Sequence, residues 1–241
     1  MRRFLHRYNQ LNKWAITCVM GLLVGLLLAG VSARANSPAG FLLGATGVGF
    51  DALTAQEQDR VLAAALSANA TMVHAADAAQ EVLLVERHQE TKDAYQSGHW
   101  PRRGDAYIYD YATDTLTYAL INLETGQVDA KQETQFVQLP LTEGEIARAL
   151  DIAYADEALR TKLAALFFAV SGEPLRDLSQ LNVKAFVFRA DSIPEDLNGA
   201  ARQCGLHRCA QLLIFTHDDV AFEMQPIVDL SFGQVVQVLG Q

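Results

Sequence analysis

The stretch "YALINLETGQV" (residues 118–128) has a near-double in "PIVDLSFGQV" (residues 226–235), about a hundred residues further along. Each writes a strand rich in β-branched and aromatic residues, a short polar turn closed by glycine, and then Gln-Val. That is the pattern of a hairpin. Working outward, the doubling continues. "LTAQEQDRVLAAA" (residues 53–65) and "LTEGEIARALDIA" (residues 141–153) share Leu, Thr, Glu, Arg, Leu and Ala in register. Both open with a capping box, Thr54 with Glu57 and Thr142 with Glu145, in which hydroxyl and carboxylate each satisfy an orphan amide of the first turn. Val61, Leu62, Ala65 and Leu66, like Ile146, Ala149, Leu150 and Ala153, then recur at helical spacing.

After each helix come strand-like runs. In the first copy these are residues 81–88, 105–112 and 115–123, with a short run after Gly126. In the second they are residues 183–190, 209–216, 220–230 and 234–239, with "HDD" and "SFG" as turns. A further helix is predicted over residues 156–172, with Leu159, Leu163, Leu166, Phe167 and Val170 as its buried stripe and Gly172 as its end. A helix laid over its own antiparallel meander hides one sheet face. The expectation is therefore an α+β fold of two tandem domains, each a helix on a cystatin-like β-meander, at residues 51–138 and 139–241.

Half of the 241 residues are apolar, enough for one sizeable core or two small ones. The first 35 residues read as an export signal. Arg2, Arg3, Arg7 and Lys13 form a basic head, residues 14–31 are apolar and uncharged, and "SARANS" offers the small residues Ala33 and Ala35 for cleavage after Ala35. An uncleaved membrane anchor over residues 14–31 is the rival reading. Arg2-Arg3 also fits twin-arginine export, although "RRFLHR" lacks the surrounding motif. Residues 36–50 read as a linker. Without residues 1–35 the chain keeps 14 basic residues against 28 acidic ones, a formal charge of −14. Such a field disfavours nucleic acid and anionic lipid and suits a basic protein partner. The expected location is the periplasm or the extracellular side.

The order helix, strand, "ETKDAYQSGHWPRRGDAYIYDY", "YALINLETGQV" resembles the small N-terminal domains of copper amine oxidases. The matching positions are Leu53, Thr54, Glu57, Lys92, Trp100, Pro101, Arg102, Ala106, Asn122, Leu123, Gly126 and Val128. The second unit is similar at Leu141, Thr142, Glu145, Asp229, Leu230, Gly233 and Val235. In that family the chemistry belongs to a large C-terminal β-sandwich with three copper-binding histidines and a tyrosine-derived quinone in an Asn-Tyr-Asp/Glu context. This chain contains no Asn-Tyr pair and no His-x-His pair. The resemblance thus implies peripheral domains that contribute no catalytic residue and need no cofactor.

"CGLHRC" (residues 204–209) is the sharpest local feature. In an oxidising compartment Cys204 and Cys209 pair as a disulfide, with His207 exposed between them. The alternative is a metal or redox site in which Cys204, His207 and Cys209 supply two thiolates and an imidazole. Cys18 lies within the apolar signal and has no lipobox. His74, His88, His99 and His217 are scattered, none spaced to pair with another. Alternation puts Tyr107, Tyr109 and Tyr111 on one strand face, as packing. There is no G-x-S-x-G, and "GATGVG" (residues 44–49) lacks the Lys-Ser/Thr end of a phosphate loop. The functional expectation is a non-catalytic, exported interaction module of the cell envelope. The alternatives are an envelope metal or redox protein built on the cysteine loop, and an accessory part of an amine oxidase system.

Overall fold

The doubled phrase folds as two copies of one turn. The computed structural model describes residues 50–69, 80–192 and 197–240, all within one compact unit. In it Asn122 and Asp229 open hairpins of identical build. The Asn122 side-chain oxygen accepts the amides of Glu124 (2.9 Å) and Thr125 (3.2 Å), and an Asp229 carboxylate oxygen accepts those of Ser231 and Phe232, both at 3.0 Å. The amides of Gly126 and Gly233 then donate back to the carbonyls of Asn122 and Asp229, at 2.8 Å in both. Both glycines sit at positive φ, +70° and +66°, which a side chain would strain.

In chain order the elements are α1 (Ala55–Asn69), β1 (Gln80–Arg87), α2 (Lys92–Ser97), β2 (Arg103–Asp110), β3 (Thr115–Asn122), β4 (Val128–Gln135), α3 (Glu143–Ala155), α4 (Glu157–Ser171), β5 (Leu181–Phe188), β6 (Cys209–Thr216), β7 (Gln225–Asp229) and β8 (Gln234–Leu239). The strands make two four-stranded antiparallel sheets, β1-β2-β3-β4 and β5-β6-β7-β8, each an unbroken meander. The fold is α+β. Both capping boxes form: Thr54 and Glu57 exchange bonds of 2.8 and 3.3 Å, Thr142 and Glu145 of 2.8 and 3.0 Å.

Helix α1 packs through Val61 and Ala65 on the face of the first sheet that carries Ala106, Ile108, Ala119 and Ile121. The approach is close because β2 has glycine where the helix crosses it. A Cβ on Gly104 would stand 2.4 Å from a Val61 methyl. Helix α3 packs the same way, through Ala149 and Ala153, on Ala210, Leu212, Ile214 and Val228 of the second sheet. Its core does not end there. Tyr109, Tyr111 and Leu116, from the far face of the first sheet, belong to the same buried cluster. The α3 layer is therefore shared between the two sheets.

Several expectations need correction. Helix α2 was not predicted; Thr91 caps it by accepting the Ala94 amide at 3.2 Å, and Gly98 ends it at φ +71°. Strand β4 runs for eight residues rather than a short stub. The strand predicted over residues 220–230 shrinks to Gln225–Asp229, with a lone Phe215–Ala221 bridge before it. On α4, Leu159, Leu163 and Phe167 are buried as expected, but Val170 faces solvent. Tyr111 lies past the end of β2, in the turn. The export segment, Ala35, Cys18, His74 and "GATGVG" lie outside the described residues. Among the described residues no helix is long and apolar enough to cross a membrane.

Candidate functional site: paired arginine clasps and the cysteine loop

The repeat reaches deeper than its strands. In each copy the capping-box glutamate holds an arginine that stands immediately before the second strand. Arg102 donates to both Glu57 carboxylate oxygens, at 2.5 and 2.9 Å, and to the carbonyls of Asp51 and Ala52. Arg208 donates to both Glu145 oxygens and to the carbonyls of Leu139 and Pro140, which stand in the same places before the second helix. The matching even extends to the main chain, where the carbonyls of Arg102 and Arg208 accept the amides of Leu123 and Leu230, each next to its hairpin's Asn or Asp. A bidentate guanidinium–carboxylate pair thus ties helix start, strand start and turn together in both units.

The two clasps differ in what covers them. Arg102 and Glu57 keep some solvent contact, whereas Arg208 and Glu145 have none. The cover comes from the first sheet. Tyr111 donates its hydroxyl to Glu145 at 2.7 Å, and the Arg208 guanidinium lies 5.3 Å from the Tyr109 ring. Gln138 accepts a further Arg208 bond at 3.1 Å. Around this centre run more ties between the halves. Glu81 of β1 accepts Thr142 Oγ1 at 2.5 Å and Arg148 Nη1 at 2.8 Å, and Arg148 sits 4.6 Å over the Tyr111 ring. Asp114 accepts the hydroxyls of Tyr109 and Ser231.

The charges follow from these contacts. Burial opposes the Arg208 charge, but Glu145 outweighs it and holds the guanidinium's pKa above its usual value. Burial likewise pushes Glu81 up, and the donors Thr142, Arg148 and Tyr111 bring it below the ordinary carboxylate range. The Tyr111 hydroxyl is driven far upward by burial and by the neighbouring Glu145 carboxylate, so it keeps the proton that it donates to that carboxylate. Glu145 is paired with Arg208 and Glu81 with Arg148, which is the condition for burying these charges, while Asp114 is met by two hydroxyls.

Arg208 projects from the loop that the cysteines close. Cys204 and Cys209 form a disulfide, both are buried, and they pack with Phe188, Leu197, Ala201, Ile227 and Val236. With both sulfurs bonded, Cys204, His207 and Cys209 do not constitute a ligand set here. Among the described residues no group of three or more His, Cys, Asp or Glu side chains gathers as a cation would require. His207 is not exposed as expected. Its Nδ1 meets Asp229 at 3.0 Å, and its ring lies 4.7 Å from Phe232. A small open hollow of about 140 Å³ adjoins it, lined by Gln203, His207, Asp229, Phe232 and Gln234 among others.

The other histidines are placed separately. His88 Nδ1 lies 2.9 Å from Asp105, which also accepts the Tyr118 hydroxyl at 2.8 Å. His217 Nε2 meets the Ser179 carbonyl, and His99 is exposed. The structure brings none of these to His207. The clasps were missed because Arg102 and Arg208 sit outside any periodic element. The signal available was the near-equal run from each arginine to its hairpin, 20 residues from Arg102 to Asn122 and 21 from Arg208 to Asp229, whereas the separations from the glutamates differ, 45 and 63 residues.

No protein-family model matches the chain, and no curated protein matches it in sequence. A solved structure shares its fold over most of its length. A copper-containing benzylamine oxidase from Hansenula polymorpha superposes with a TM-score of 0.50 at 13% identity, over 78% of this chain and 29% of that one. An amine oxidase from Aspergillus nidulans gives a TM-score of 0.38 at 13% identity, over 75% of this chain and 26% of that one. The chain thus has the fold of part of an amine oxidase and spans less than a third of the length of either.

Proposed function

We propose that this chain is a non-catalytic interaction module of the cell envelope, built from two domains that resemble the N-terminal domains of copper amine oxidases. In this reading residues 51–138 and 139–241 are the domains, each a helix on a cystatin-like meander. Residues 1–35 export the chain or anchor it, and its excess of acidic residues favours a basic protein partner. The observation that carries the proposal is the contrast at the junction. The buried ionisable groups there bond to one another, while several of the side chains left outside are large and apolar. Phe136, Val137, Leu206 and Phe232 are 56%, 40%, 46% and 64% exposed. They border one region. Gln138 donates to the Gly205 carbonyl at 3.5 Å, bringing the connector beside the cysteine loop, and Phe232 covers His207 from the β7–β8 turn. Phe136 also holds a left-handed backbone, φ +65°, a conformation that costs about 1–3 kcal/mol and is retained where surroundings enforce it. Exposed apolar groups on a frame whose buried charges are taken up in ion pairs suit docking rather than turnover.

The test is site-specific photo-crosslinking in the native envelope, from probes replacing Phe232 and, as control, Lys131 on β4. One discrete adduct from Phe232 alone is expected. No adduct from Phe232, or the same adducts from both positions, would sink the reading. Hydrogen peroxide released from simple amines by the purified chain would replace it with amine oxidation.

A further inference from the structure

Each sheet has two edge strands, and three of the four are defended. Ladders β1–β2, β3–β4 and β7–β8 are each broken by a register shift. Strand β1 also carries Glu81, Glu86 and Arg87, and β4 carries Asp129, Lys131 and Glu133. Bulges and edge charges are the devices by which sheets avoid adding a foreign strand. Strand β5 has no bulge and less charge than β1 or β4. It pairs with β6 over all eight residues, Leu181↔Thr216 to Phe188↔Cys209, without a shift, and Lys184 is its one charge. Every second residue of an edge strand turns its N–H and C=O outward. The Leu181 amide bonds to the Leu178 carbonyl; among the described residues the backbone groups of 182–188 have no backbone partner beyond β6. Phe186 is 55% exposed at its centre.

We infer that β5 is a self-association edge, at which a second copy of this chain adds its own β5 antiparallel to form one continuous eight-stranded sheet. The sequence of the strand selects the occupant. A two-fold axis perpendicular to the sheet keeps outer faces outer, so it must pass midway between two copies of one residue. Centred on Ala185, it sets Lys184 of each copy opposite Phe186 of the other, and Val183 opposite Val187. Centred on Lys184, it would oppose two like charges, which is unfavourable. The Ala185 register separates the two lysines and places each ammonium beside a phenyl ring. Within one chain the same pairing already exists, with Lys184 Nζ 5.6 Å from the Phe215 ring. This inference is independent of the docking patch proposed above, which lies on the connector, the cysteine loop and the β7–β8 turn.

The test is sedimentation equilibrium of the purified chain without its first 35 residues, over a range of concentrations and salt. A monomer–dimer equilibrium is expected. It should tighten as ionic strength rises, because two acidic bodies approach through an edge that bears little charge. Phe186→Lys, which opposes Lys184 with a second lysine at both symmetric positions, should weaken association about tenfold or more. Adding Lys184→Glu to it should restore the dimer by pairing opposite charges. Both positions are exposed, so unchanged circular dichroism will confirm folding. A chain that stays monomeric throughout, or a dimer indifferent to Phe186→Lys, overturns the inference.

Discussion

Replacing Arg208 by methionine tests the clasp most directly, because the first unit supplies a matched control. In Arg208→Met the Glu145 carboxylate stays fully buried and keeps only the Tyr111 hydroxyl and the Thr142 amide as donors. The carbonyls of Leu139 and Pro140 lose their donor as well. Breaking a buried pair on one side costs about 3–5 kcal/mol. The two remaining donors to Glu145 place the expected loss near the lower end, about 3 kcal/mol. Against a total stability of about 5–15 kcal/mol that is a large fraction. Arg102→Met removes the same bonds from the same scaffold positions, but Arg102 and Glu57 are 18% and 15% exposed. Water then replaces part of what is lost, and about 1 kcal/mol is expected. Urea unfolding of the two variants, read at the midpoint with the slope checked, measures both. The double variant Arg208→Met, Glu145→Met should recover most of the loss, short of about 1 kcal/mol for the missing cap. If Arg102→Met costs as much as Arg208→Met, or if Arg208→Met costs under about 1 kcal/mol, the account of the junction is wrong.

Gly104→Ala should destabilise by about 1–3 kcal/mol, because its Cβ meets Val61 at 2.4 Å; adding Val61→Ala should return part of this, and additive losses in thermal melts would refute the close-approach argument. Replacing Cys204 and Cys209 together by serine opens a six-residue loop and should cost about 2 kcal/mol. Because Arg208 stands on that loop, the same change should cost less in the Arg208→Met background, and equal losses in a double-mutant cycle would count against the coupling. Arg102 holds the Glu57 pKa down, from 4.5 to about 2. A depressed carboxylate adds stability that is complete above its unfolded pKa and is lost as pH falls through the folded one. Glu57→Gln should therefore flatten the decline in melting temperature between pH 4.5 and 2, and an acid limb parallel to that of the unaltered chain would refute the assignment.

The strands, the helices and the doubled hairpin were legible because each rests on local rules. Alternation, helical spacing and a Gly at positive φ act within a few residues. Both capping boxes were readable for the same reason. What local rules cannot supply is the partner across space. Helix α2 carries no buried side chain, so it lacks the apolar stripe by which a helix announces itself and is held by Thr91 and Gly98 instead. Val170 fits the α4 stripe by spacing, yet it stands 47% exposed. His207 reads as a surface residue in "CGLHRC" until Asp229, brought alongside by the β6–β7 ladder, claims its Nδ1.

The two clasps also explain why a repeated unit need not yield two equivalent halves. Copying the unit copies the pair, and in an exposed setting a guanidinium–carboxylate pair tolerates water on its open side, as Arg102 and Glu57 do. The second copy has a neighbour that the first lacks: the far face of the first sheet, whose Tyr109 and Tyr111 close over Arg208 and Glu145. Burying a charge pair is favourable only when the remaining donors and acceptors are met, and the connector meets them with Gln138, Leu139 and Pro140. The same seven-residue connector, 136–142, therefore joins the units, caps α3 through Thr142 and completes the clasp. Any slippage of the first sheet over α3 would expose a charge pair on one side and strand Tyr111 on the other. The junction is thus the place where the orientation of the two sheets is specified, by polar satisfaction in addition to apolar contact.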